Sequence, residues 1–121
     1  MQKKRVLIID DDSRNIFALK ATLQSKGFAC LSCLNAQEAL NLLKTDEEID
    51  AILIDMMMPD MDGYEAIPRI KNLDNRKDTP VFSVTAQAMV GDREKCLRAG
   101  ATEYIAKPID VDRLLQLLSR I

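Results

Sequence analysis

The sequence predicts a doubly wound α/β domain, with five parallel strands and helices on both faces of the sheet. Three observations carry that prediction. Short apolar runs alternate five times with amphipathic helical segments, joined by brief links, within 121 residues. The clearest runs, Val6-Leu7-Ile8-Ile9 and Ala51-Ile52-Leu53-Ile54, are unbroken rather than alternating, as in strands buried on both faces of a parallel sheet. The runs also tend to stop at residues that carry chemistry, which places that chemistry at one sheet edge.

The first run, Val6-Leu7-Ile8-Ile9, ends in Asp10-Asp11-Asp12. Three adjacent acids repel one another, and burying them is costly without a cation. A helix follows, with Ile16, Leu19 and Leu23 on one face and Gly27 as its stop. Residues 29–34 form a weaker strand that contains a C-x-x-C pair, Cys30 and Cys33. A redox pair belongs at a helix N-terminus, whereas strand residues three apart point to opposite faces. The chain has no histidine to complete a zinc set, and its three cysteines make no disulfide framework. The pair therefore reads as small core hydrophobes. Asn35 and Glu38 then form a capping box for a helix with Ala36, Ala39, Leu40 and Leu43 inward.

The central strand, Ala51-Ile52-Leu53-Ile54, ends in Asp55, and Pro59, Asp62 and Gly63 mark a loop and turn. Asp62 and Glu65 cap the next helix, which carries Tyr64, Ile67 and Ile70. Pro68 conflicts with that helix and predicts a kink or a late start near Ile67. Val81-Phe82-Ser83-Val84-Thr85 is a fourth strand ending in a hydroxyl. A helix over about 88–99 is closed by Gly100. Glu103-Tyr104-Ile105-Ala106 is the fifth strand and ends in Lys107-Pro108. The last helix starts at Asp110 and shows Val111, Leu114, Leu115 and Leu118 at helical spacing.

One edge of such a sheet gathers Asp10, Asp11, Asp55, Thr85 and Lys107, contributed by four strands. Carboxylates with open water positions suit Mg²⁺. Metal, hydroxyl and ammonium around one nucleophilic carboxylate suit phosphoryl transfer, which needs positioning and charge neutralisation. Taken singly, each of these residues is an ordinary solvated strand end; their agreement across strands favours a site. Composition excludes other classes. A net charge of −2 draws the chain neither to nucleic acid nor to an anionic membrane. No apolar run approaches the roughly 20 residues of a spanning helix. The basic start Met-Gln-Lys-Lys-Arg precedes only four apolar residues, too few for a signal peptide. One cytoplasmic domain over 1–121 is expected, without membrane insertion.

With these residues in view, the sequence resembles the receiver domains of bacterial two-component response regulators along its whole length. The markers are Asp10-Asp11, Asp55-Met56-Met57-Met58-Pro59 with Asp62-Gly63, Val84-Thr85-Ala86, and Lys107-Pro108. The resemblance implies a flavodoxin-like sheet of order 2-1-3-4-5. It also implies that Asp55 accepts a phosphoryl group from the phosphohistidine of a histidine kinase or histidine phosphotransfer domain. Asp11 would bind Mg²⁺ directly and Asp10 mainly through water, with the Met57 carbonyl as a further ligand beside Asp55. Thr85 would hydrogen-bond the phosphoryl group, Lys107 would pair with it, and Tyr104 would turn inward when Thr85 moves. Asp12 matches no ligand position. The Lys107-Pro108 bond is cis in the family, and the domain catalyses only its own phosphorylation and dephosphorylation.

Residues 86–97 with Lys107-Pro108-Ile109-Asp110 look most like receivers of hybrid sensor kinases, and also like single-domain receivers. No DNA-binding helix-turn-helix follows, so no direct nucleic-acid contact is expected, and the chain is expected to be a monomer or weak dimer. Two other readings stand beside this one. A haloacid-dehalogenase-like phosphatase would use Asp10 as nucleophile, and a pseudo-receiver would bind partners without phosphorylation.

Overall fold

A computed structural model describes residues 3–86 and 90–121. Strands and helices alternate as β1 Arg5–Ile9, α1 Ser13–Ser25, β2 Ala29–Cys33, α2 Ala36–Leu43, β3 Ala51–Asp55 and α3 Gly63–Lys71. A 3₁₀ turn at Asp74–Arg76 leads to β4 Val81–Thr85, α4 Asp92–Ala99, β5 Glu103–Ala106 and α5 Val111–Leu118. The five strands are all parallel, in the order β2-β1-β3-β4-β5. Every residue of β3 and β4 is buried, as their unbroken apolar runs require. Among the described residues no helix is long and apolar enough to cross a membrane.

The sheet divides the core into two banks. Val6, Ile8, Leu53, Phe82, Val84 and Ile105 pack against Ile16, Leu23, Leu114, Leu117 and Leu118 of α1 and α5. Leu7, Ile9, Ile52, Ile54 and Val81 pack against α2, α3 and Cys96 of α4. Cys33 lies in the second bank and Cys30 packs on the first, so the C-x-x-C residues point to opposite faces of β2. Burial raises both thiols, that of Cys33 to about 11, with the Glu38 charge adding to the effect.

The expected caps are in place. Asn35 Oδ1 accepts the Glu38 N–H at 2.8 Å, and Asp62 Oδ1 accepts the Glu65 N–H at 3.0 Å. Asp110 caps α5, whose buried face is Leu114, Leu117 and Leu118; Val111 and Leu115 are half-buried. The late start expected for α3 does not occur. The helix begins at Gly63 and continues past Pro68, whose carbonyl accepts the Asn72 N–H at 3.0 Å. Buried Ala66, Ile67 and Ile70 hold the helix on the sheet, and Pro68 sits on its exposed side. There the carbonyl that the proline leaves without a partner can face water. The end of the loop before α3 is tight: a Cβ on Gly63 would lie 2.9 Å from Met56 Cα. For α4, the expected residues 88 and 89 lie outside the described residues, and the helix itself starts at Asp92, behind Gly91 with φ +93°.

Arg76 is a buried cation that sequence reasoning missed, 5% exposed. Its guanidinium donates to the carbonyls of Leu43 and Thr45 at 3.0 Å each, closing the C-terminal end of α2.

Candidate functional site

Strand register sets the geometry of the site. Ile9 lies level with Ile54, so the next residues, Asp10 and Asp55, emerge side by side from β1 and β3. Asp55 is level with Val84, which puts Thr85 one step further along β4. Thr85 is level with Ala106, and Lys107 follows; its N–H donates to the Thr85 carbonyl at 2.8 Å. The four residues therefore share one edge of the sheet, where open α/β folds place ligands. The Lys107-Pro108 peptide is cis.

The acids converge closely. Asp10, Asp11 and Asp55 each offer a carboxylate oxygen within 4.8 Å of the others. Asp10 and Asp55 are buried, at 4% and 6% exposed, while Asp11 is exposed. Lys107 Nζ reaches between the buried pair, 3.5 Å from Asp55 Oδ2 and 3.9 Å from Asp10 Oδ2. Desolvation raises the Asp10 carboxyl above its ordinary value, and the neighbouring Asp55 charge adds to it. The Asp12 N–H at 2.9 Å and Lys107 only partly offset this. Asp55 Oδ1 accepts the Met57 N–H at 3.0 Å, so one oxygen is steered by the backbone and the other by Lys107.

This donor set fits Mg²⁺. It is all hard oxygen, it holds more negative charge than one lysine neutralises, and its exposed member leaves room for water ligands. The remaining expected residues take these places. Met57 is half exposed, with its peptide beside Asp55. Thr85 is buried at 1%. Tyr104 is half-buried against the bank formed by α2, α3 and α4. Asp12, assigned no role from the sequence, caps α1: its Oδ1 accepts the Arg14 N–H at 2.9 Å. An acid just ahead of a helix was the available signal.

The family of response regulator receiver domains matches residues 6–119. This chain is a receiver domain. It is 40% identical over 115 residues to the signal transduction histidine-protein kinase BarA of Escherichia coli, covering 95% of this chain and 12% of BarA. It is 33% identical to the polar-differentiation response regulator DivK of Brucella anthropi, covering 95% of this chain and 93% of DivK. The receiver thus spans about an eighth of the hybrid kinase it matches and nearly all of the single-domain regulator. Among solved structures, the receiver domain of sensor histidine kinase PA1611 from Pseudomonas aeruginosa superposes with a TM-score of 0.88. It is 33% identical, with 98% of this chain and 96% of that one covered, and it has a magnesium ion coordinated in its active site cleft. The chain therefore belongs to two-component signal transduction, as the motifs implied, and the rival phosphatase and pseudo-receiver readings are not favoured.

Proposed function

We propose that this receiver accepts a phosphoryl group on Asp55 from the phosphohistidine of a histidine kinase or histidine phosphotransfer domain. The observation that carries the proposal is the surroundings of one carboxylate. Asp55 lies 3.5 Å from the Lys107 ammonium, beside two further acids whose oxygens gather within 4.8 Å. A carboxylate oxygen of Asp55 forms the new O–P bond as the N–P bond of the phosphoimidazole breaks, and the imidazole nitrogen keeps the electron pair. Lys107 neutralises charge on the transferred oxygens, and the Thr85 hydroxyl, at the end of the adjacent strand, donates to one of them. Asp10, Asp11, Asp55 and the Met57 carbonyl would hold Mg²⁺, which supplies charge neutralisation for the phosphoryl oxygens when bound. The three free cysteines fit a reducing, cytoplasmic setting.

Lys107 Nζ lies nearer to Asp55 Oδ2, at 3.5 Å, than to Asp10 Oδ2, at 3.9 Å, which supports Asp55 rather than Asp10 as the acceptor. Treatment with acetyl phosphate and Mg²⁺ should add one phosphate to the intact mass, and Asp55→Asn should abolish the gain. A phosphate mapped to Asp10 instead would overturn the assignment.

A further inference from the structure

Packing alone holds α4 lightly. Cys96 is its one buried residue of eight, and Gly91 at its N-cap supplies no side-chain hydrogen bond. A charged tie supplements that packing. Arg93, in the first turn, sets its Nε 3.1 Å and its Nη2 3.4 Å from the two carboxylate oxygens of Glu103 on β5. A two-pronged pair of this kind fixes orientation as well as distance. Burial of Glu103 works against its charge, but Arg93 and the Tyr104 N–H outweigh it and hold the carboxyl below the ordinary range. Glu103 Oε1 accepts that Tyr104 N–H at 3.0 Å, and Arg113 of α5 donates to the Tyr104 carbonyl at 3.4 Å. Charged side chains from α4, β5 and α5 thus meet around the peptide of Tyr104.

We infer that the Arg93–Glu103 pair is a latch that holds α4 in the resting arrangement, so that opening it favours phosphorylation. The inference rests on Asp55 being the acceptor. The latch is closed in the same arrangement in which Lys107 pairs directly with Asp55, at 3.5 Å. In sequence, six residues separate Thr85 from the start of α4 at Asp92. A Thr85 hydroxyl drawn toward a phosphoryl group pulls on that link, and Arg93 lies two residues beyond its end. A contact made in one arrangement and strained in the other biases their populations by its own strength.

The test compares Arg93→Ala, Glu103→Gln and the swapped pair Arg93→Glu with Glu103→Arg. Backbone hydrogen exchange over residues 92–99 is followed without any phosphoryl donor, and the rate of labelling by acetyl phosphate with Mg²⁺ is measured separately. For a half-exposed pair, each single change should speed α4 exchange and labelling by about two- to fivefold, and the swap should restore both. Unchanged exchange in every variant would overturn the latch. Faster exchange with an unchanged labelling rate would overturn its coupling to phosphorylation. A wild-type chain that takes no phosphate at Asp55, while the variants still loosen α4, would overturn the acceptor assignment and leave the tie standing as a structural one.

Discussion

Asp10, Asp11 and Asp12 are neighbours with three different duties, and their surroundings separate them. Asp10 is buried beside Lys107, Asp11 is exposed at the mouth of the site, and Asp12 turns back to cap α1. Asp11→Ala should weaken Mg²⁺ binding at least about tenfold by isothermal titration. Asp12→Ala should leave that binding nearly unchanged and lower the melting temperature by a few degrees. Equal losses of Mg²⁺ affinity would mean that the ligands are misassigned. Cys33 gives a pH signature. Its thiol is held near 11 in the fold, against 9.0 in the open chain, so between those values the unfolded chain gives up a proton that the folded one keeps. Stability contributed by this thiol is present below pH 9 and is lost as pH rises toward 11. Denaturant melts at pH 7 and pH 10 should show a smaller loss for Cys33→Ala than for the wild type. Residue types at strand ends were legible because a parallel sheet delivers them to one edge. The Arg93–Glu103 pair was not, since two residues on different elements ten positions apart follow no local period.

At the level of elements, α3 shows where local rules and tertiary packing disagree. Its cap at Asp62 and its apolar spacing were readable, and both are present. Pro68 pointed to a kink or a late start, yet the helix starts at Gly63 and three buried residues bind it to the sheet on either side of the proline. Packing of the apolar face outweighs one missing hydrogen bond on the exposed side. The penalty is offset rather than removed, so Pro68→Ala should stabilise the fold by about 1–3 kcal/mol. Urea titration would show it as a higher midpoint with unchanged slope, and a lower midpoint would mean that the proline is favoured in place. Arg76 belongs to the same lesson. A lone arginine in a polar link reads as a solvated charge, and only the fold brings the carbonyls of Leu43 and Thr45 to it.

For the whole molecule, the expected switch joins the acidic edge to the surface of α4, β5 and α5. Beryllofluoride with Mg²⁺ should carry Tyr104 from half-buried to mostly buried, shifting its ring signals by NMR, and removing Mg²⁺ with a chelator should reverse the shift. A ring that stays in place while Asp55 is saturated would mean that the signal leaves by another face. The partition of the core bears on how such a switch can evolve. Cys96 of α4 and Tyr104 pack with α2 and α3 on one side of the sheet, while α1 and α5 close a separate bank on the other. Side chains on opposite sides of a strand share no direct contact, so changes to one bank leave the other's packing nearly untouched. Substitutions that loosen the α4 side can therefore accumulate without disturbing the packing of α1 and α5, so the two faces of the sheet are free to change at different rates.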